Sequence, residues 1–135
     1  MEDCIFCKII AGEVPTTKVY EDEDVFAFLD IAPVNPGHTL VIPKEHVENI
    51  GKASDDQINS TLTVVRKLAP SIVKASSAQG FNVNTNSGAA AGQSVFHLHF
   101  HVIPRHDGDG KITWEQGSYG EGEEQVMAEK IKSNL

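Results

Sequence analysis

Cysteine is scarce in this 135-residue chain, which has only Cys4 and Cys7. The pair lies too close together to staple a fold, so a disulfide-rich domain is excluded and metal or redox chemistry is the use left for it. Basic residues are also few: eleven Lys and Arg stand against nineteen Asp and Glu, a net charge of −8. A broad cationic surface for nucleic acid is therefore missing. No apolar run approaches the ~18 residues a membrane-crossing helix needs, and the opening Met1-Glu2-Asp3 lacks the positive charge of a secretory leader. These absences give the expectation of a cytoplasmic protein with neither nucleic acid nor membrane as partner. With 40% hydrophobic and 7% aromatic residues, no repeat and no long linker, residues 1–135 are expected to form one domain around one core.

The hydrophobic pattern alternates between helical and strand periods. Ile5 to Ile10 reads as a short helix closed by Gly12. Lys18–Tyr20 and Asp24–Asp30 read as strands around an acidic turn, and His38–Ile42 as a third strand ended by Pro43. Ser54 with Gln57 forms a capping-box signature, and Ile58, Leu62, Val65, Ala69 and Ile72 follow as one helical stripe. Pro70 falls inside that stripe and predicts a kink or break between Arg66 and Pro70. Phe81–Asn84 and Phe96–Ile103 complete five strands, and Gln125–Ser133 reads as a charged terminal helix. The expected class is α+β: a five-stranded antiparallel sheet with one long helix, short helices at either end, and helices covering one face.

Half of the six histidines fall within His97-Leu98-His99-Phe100-His101. On a strand, successive side chains point to opposite faces, so three imidazoles would share one face while Leu98, Phe100 and Val102 enter the core. A single such histidine is ordinarily structural; three in register point to chemistry. One use is a metal site with an open position for water. The other is covalent catalysis at phosphorus by a neutral imidazole. The preceding stretch, Gly88 to Gly92 followed by Gln93 and Ser94, favours the second, because small residues let backbone amides crowd an anion.

The run Gly92-Gln93-Ser94-Val95-Phe96-His97-Leu98-His99-Phe100-His101-Val102-Ile103-Pro104-Arg105 resembles the signature of the histidine triad family in its Hint-like branch. The stretches Phe28–Pro33, Pro36–His46 and Cys4–Ile10 resemble the same family in the same order, so the likeness covers most of residues 4–105 and leaves 106–135 as a variable tail. The resemblance implies a homodimer with a continuous larger sheet that binds purine nucleotides such as AMP and its conjugates. It implies cleavage at the α-phosphorus of phosphoramidates, acyl adenylates or dinucleotide polyphosphates. His99 would be the nucleophile forming a nucleotidyl-histidine, His101 would bind a phosphate oxygen, Ser94 would bond phosphate or leaving group, and His38 would lie behind the nucleophile. Asp30 would accept the ribose hydroxyls; Phe6, Ile9, Phe28 and Ile31 would form the slot for the base; Asn86, Gly92 and Gln93 would add polar or backbone contacts. Some members pair the CxxC with two histidines as a structural zinc site, here Cys4, Cys7, His46 and His97.

Two other readings stay open on the sequence: a zinc-dependent hydrolase that uses the triad as metal ligands, and a non-enzymatic nucleotide-sensing or interaction module. The tail offers no readable match from which to name the leaving group.

Overall fold

The computed structural model describes residues 3–111 and 114–135. A five-stranded sheet, entirely antiparallel, runs in the order β1 (Lys18–Glu21), β2 (Val25–Leu29), β3 (Thr39–Pro43), β5 (Phe100–Arg105), β4 (Gly80–Asn84). Among the described residues three α-helices accompany it: α1 (Ile5–Ile10), α2 (Asp55–Ser76) and α3 (Glu123–Ser133). None of the described helices is long and apolar enough to cross a membrane.

The strand alternation sorts the core into two layers. Val25, Ala27, Val41, Phe100 and Val102 pack on one face with Val64, Val65, Leu68, Ala69 and Ile72 of α2. On the other face Phe26, Phe28, Leu40 and Ile42 pack against Phe6 and Ile9 of α1. The expectation that helices cover a single face is thus corrected: α2 takes one face and α1 the other. Both faces of β2 and β3 are covered, which is why these strands read as continuous apolar runs.

Helix α2 opens on the expected capping box: Ser54 Oγ accepts from the Gln57 amide at 3.1 Å and the Gln57 side chain accepts from the Ser54 amide at 2.9 Å. Its buried stripe differs from the sequence reading. Thr61, Val64 and Leu68 join Val65, Ala69 and Ile72, while Leu62 is exposed and Ile58 half-buried. The 3.6-residue period tolerates several neighbouring stripes, and the β2–β3–β5 surface selects among them. Pro70 does not break the helix, which continues to Ser76 with Pro70 on its exposed side. A missing N–H there leaves only a solvent-facing carbonyl without its helical donor.

Strand β5 also starts later than expected, at Phe100 rather than Phe96. His97 and His99 lie in a bent, irregular approach outside the sheet, held by the Leu98 amide donating to the Val47 carbonyl at 2.7 Å and by Thr85 Oγ1 donating to the His99 carbonyl at 2.7 Å. Helix α3, as expected, buries none of its residues.

Candidate functional site

The histidine row divides between two sites. The His97 ring is fully buried, and its Nε2 faces the Pro43 carbonyl at 2.8 Å. A carbonyl only accepts, so Nε2 carries the proton and Nδ1 keeps a free lone pair. That lone pair points into a cluster with Cys4 Sγ at 3.4 Å, Cys7 Sγ at 3.6 Å and His46 Nδ1 at 3.2 Å, and Cys7 Sγ lies 3.4 Å from His46 Nδ1. A tetrahedral zinc ion with bonds of about 2.3 Å to sulfur and about 2.0 Å to nitrogen requires ligand edges of about 3.5 Å (N–S) and about 3.3 Å (N–N). The four side chains fit, and they form a cluster able to hold a metal ion. Without an ion, burial and the adjacent Cys4 push the Cys7 thiol up to about 11, and burial pushes His97 down to about 4. Two thiols crowded against two imidazoles gain from a cation that takes their protons' place.

Beyond this cluster the chain returns toward a cleft of about 340 Å³ between α1 and the open end of the sheet. Phe6, Ile9, Phe28, Ile31, Asp30, Ser94, His99 and His101 all line it, so eight of the expected residues meet there. Ile31 stands on the rim, almost wholly exposed, whereas Phe6 and Phe28 are buried and meet edge to face at 5.4 Å. Phe6 also sets its ring 5.1 Å from the His99 ring. Sequence reasoning overlooked Val14, Pro15 and Thr16, which close the cleft from the loop after α1. Their only signal was a proline in a turn.

His99 Nδ1 faces the His97 carbonyl at 2.8 Å, so Nδ1 holds the proton and Nε2 presents its lone pair. The His101 ring lies alongside, 5.0 Å centre to centre. Behind it His38 Nε2 lies 2.9 Å from His101 Nδ1, and the Val34 amide donates to His38 Nδ1 at 3.0 Å. The amide proton assigns the chain of tautomers: His38 accepts at Nδ1, donates from Nε2 to His101 Nδ1, and leaves His101 with Nε2–H. His38 therefore backs His101 and not His99, a correction to its expected place behind the nucleophile. Strand register decides this, because Leu40 pairs with His101 and His38 lies two residues before it on the same face. Burial lowers the pKa of His38 and His99, and lowers His101 to about 4 with help from His99 and His38. Burial thus favours the neutral form of all three rings.

Asp30 Oδ2 lies 3.6 Å from His38 Nε2 and its Oδ1 accepts from the Ala32 amide at 2.8 Å. Gln93 is buried, and its side chain is spent on the protein: Oε1 accepts from the Gly88 amide at 2.8 Å while Nε2 donates to the Glu48 carbonyl at 2.7 Å and the Val95 carbonyl at 3.1 Å. Asn86 donates to the Gly92 carbonyl at 3.4 Å, and Gly92 turns at φ +93° beside it. These three shape the loop that presents Ser94; none of them lines the cleft. A second overlooked group ties the other side of the site. Asn35 Nδ2 donates to the Pro104 carbonyl at 2.9 Å and to Asp109 at 3.0 Å, and Arg105 pairs with the same carboxylate. This network fastens the loop between Asp30 and His38 to the end of β5.

Residues 11–108 match the model of the HIT domain. The chain belongs to the HIT family. Along 134 residues it is 40% identical to the adenosine 5'-monophosphoramidase hnt1 of Schizosaccharomyces pombe, covering 98% of both chains. Among solved structures, a HIT family protein from Bacillus anthracis superposes with a TM-score of 0.89 at 41% identity, over 99% of this chain and 98% of that one. A zinc-bound histidine triad family protein from Mycobacterium smegmatis superposes with a TM-score of 0.78 at 34% identity, over 99% of each. The five-stranded sheet and its helices are thus a HIT fold.

Proposed function

We propose that this HIT protein hydrolyses AMP conjugates at the α-phosphorus through a nucleotidyl-His99 intermediate. The observation that carries the reading is the assigned tautomers: His99 offers a bare Nε2 into the cleft while His101 offers Nε2–H beside it. The phosphoramidase name of the fission-yeast relative supports the same substrate class. In this reading Phe6, Ile9, Phe28 and Ile31 hold the purine, Asp30 accepts from the ribose hydroxyls, and His101 Nε2–H and Ser94 Oγ–H bond the phosphoryl oxygens. Gly92, Gln93 and Asn86 act by shaping the Ser94 loop.

The chemistry then runs in two displacements. The neutral Nε2 attacks phosphorus, the P–N bond breaks with its electron pair on nitrogen, and solvent supplies the proton that completes the amine. The His99 ring becomes cationic, and the His97 carbonyl stabilises its Nδ1–H. Water next attacks phosphorus, returns one proton to solvent and releases AMP. One water is consumed and the enzyme is restored.

Cys4, Cys7, His46 and His97 would hold a zinc ion in a closed site whose contribution is structural. The rival reading, a triad that binds a catalytic metal, conflicts with the donor set. His97 Nδ1 turns to Cys4, Cys7 and His46 while His99 Nδ1 is spent on the His97 carbonyl, so the triad's donors are divided; in the neighbouring group Asp30, His38 and His101 the Val34 amide occupies His38 Nδ1 and puts the proton on the Nε2 that would have to ligate. Homodimerisation belongs to the proposal as well, supported by edge strand β4, which exposes Phe81 and Val83 at 46% and 42%.

The test is a His99→Gly variant assayed with adenosine 5'-phosphoramidate. Wild type should yield AMP and, when quenched during turnover, a chain heavier by one adenylyl group. The variant should lose both while keeping its metal and melting temperature. Unchanged turnover in the variant would end the proposal, and chelator-sensitive turnover without an adduct would favour the metallohydrolase.

A further inference from the structure

A second, larger cleft of about 660 Å³ lies next to the first and, apart from Ser94, has no part in nucleotide recognition as described above. Ile5, Ser94 and Val95 line both clefts, so the two are continuous over Ser94. With ribose at Asp30 and phosphorus at His99, a substituent on the far side of phosphorus leaves the first cleft past Ser94 and enters the second. There it meets Ile5, Val95 and Phe96. Ile5 is 40% exposed and Phe96 45% exposed, a large share for apolar side chains in a position with no other assigned role. Asp3 stands on the same wall, and no Lys or Arg lines either cleft among the described residues. The lining thus joins the apolar Ile5, Val95 and Phe96 to the polar Ser94, Cys4 and His46 and to one carboxylate, Asp3.

Resting on the hydrolase reading above, we propose that this second cleft is the leaving-group subsite, and that it selects amines with an apolar or aromatic body and a second, positively charged nitrogen. Phe96 supplies a face for the body and for the cation, and Asp3 supplies the countercharge. Anionic leaving groups such as sulfate or a nucleotide would face Asp3 and Asp30 with no Lys or Arg in the described lining of either cleft, so the subsite works against adenylyl sulfate and dinucleotide polyphosphates.

Three AMP phosphoramidates test this: those of ammonia, phenethylamine and 4-(aminomethyl)phenethylamine. All break the same P–N bond, so ratios of kcat/KM between them compare binding of the departing group. Wild type should prefer the third over the second and the second over the first. Phe96→Ala should shrink the preference for phenethylamine over ammonia about tenfold, and Phe96→Tyr should restore it. Asp3→Asn should erase the preference for the charged over the uncharged arylamine while leaving the preference over ammonia. Because both residues neighbour Cys4 and His97, the variants are compared at equal metal content. Turnover with all ratios unmoved would overturn the subsite and leave the hydrolase standing. No turnover of any substrate by wild type would overturn the hydrolase reading, and the subsite with it.

Discussion

Helix α1 is too short to hold itself on the sheet, so removing the metal proposed at Cys4, Cys7, His46 and His97 should release it. Only Phe6 and Ile9 of α1 are buried, a gain of about 1.5–3 kcal/mol each and thus about 3–6 kcal/mol together. Ordering the backbone of residues 4–11 costs about 8 kcal/mol even at ~1 kcal/mol per residue. Packing alone falls short. An ion joining Cys4 and Cys7 to His46 and His97 would supply the difference, since closed zinc sites are worth on the order of 10 kcal/mol. Hydrogen exchange on the metal-loaded and chelated protein measures this directly. The Lys8 amide, bonded to the Cys4 carbonyl at 3.1 Å, and the Ala11 amide, bonded to the Cys7 carbonyl at 3.0 Å, should lose protection on chelation. The β2 and β3 amides should not. Cys7→Ser should behave like the chelated protein. Departure of Phe6 would open the cleft wall against His99, so KM for a phosphoramidate should rise about tenfold with a smaller change in kcat. Full protection of residues 4–11 in protein shown by elemental analysis to be metal-free would refute this reasoning.

Stability should fall as pH drops from about 6.5 toward 4, because His101 titrates near 4 in the fold and near 6.5 unfolded, so the unfolded chain binds more protons in that window. His101 alone should contribute about 2–3 kcal/mol across it, seen as a shallower pH slope in denaturant titrations of His101→Asn; identical slopes would disprove the assignment. Thr61 Oγ1 is buried with no partner among the described residues, so Thr61→Val should leave stability unchanged or raise it by about 1 kcal/mol, and a loss above about 2 kcal/mol by calorimetry would show an unseen bond. Wild type should sediment as a dimer at micromolar concentration, and a mass of 14.6 kDa throughout a dilution series would contradict that.

The order of elements was legible in the sequence because its signals are local. The Ser54–Gln57 box, the β-branched run of Thr39–Ile42 and the alternation around Phe100 depend on neighbours a few residues away. The candidate chemistry was legible for the same reason, with three histidines and the Gly-Gln-Ser approach contiguous in the chain. The division of labour within the histidine row was not contained in local pattern. Period-2 alternation puts His97, His99 and His101 on one face, but the chain joins β5 only at Phe100, and Pro43 and Cys4, 54 and 93 residues away from His97, turn its ring to the Cys4–Cys7–His46 cluster. His38 fell behind His101 because cross-strand register fixes which side chains meet, and register is a property of two strands together. The stripe of α2 was likewise chosen by the sheet it covers, and Gln93 was drawn inward by the Glu48 carbonyl, 45 residues away. Local pattern specifies which side chains share a face. Which partner each one meets there depends on contacts between segments far apart in the chain, and only the folded structure settles them.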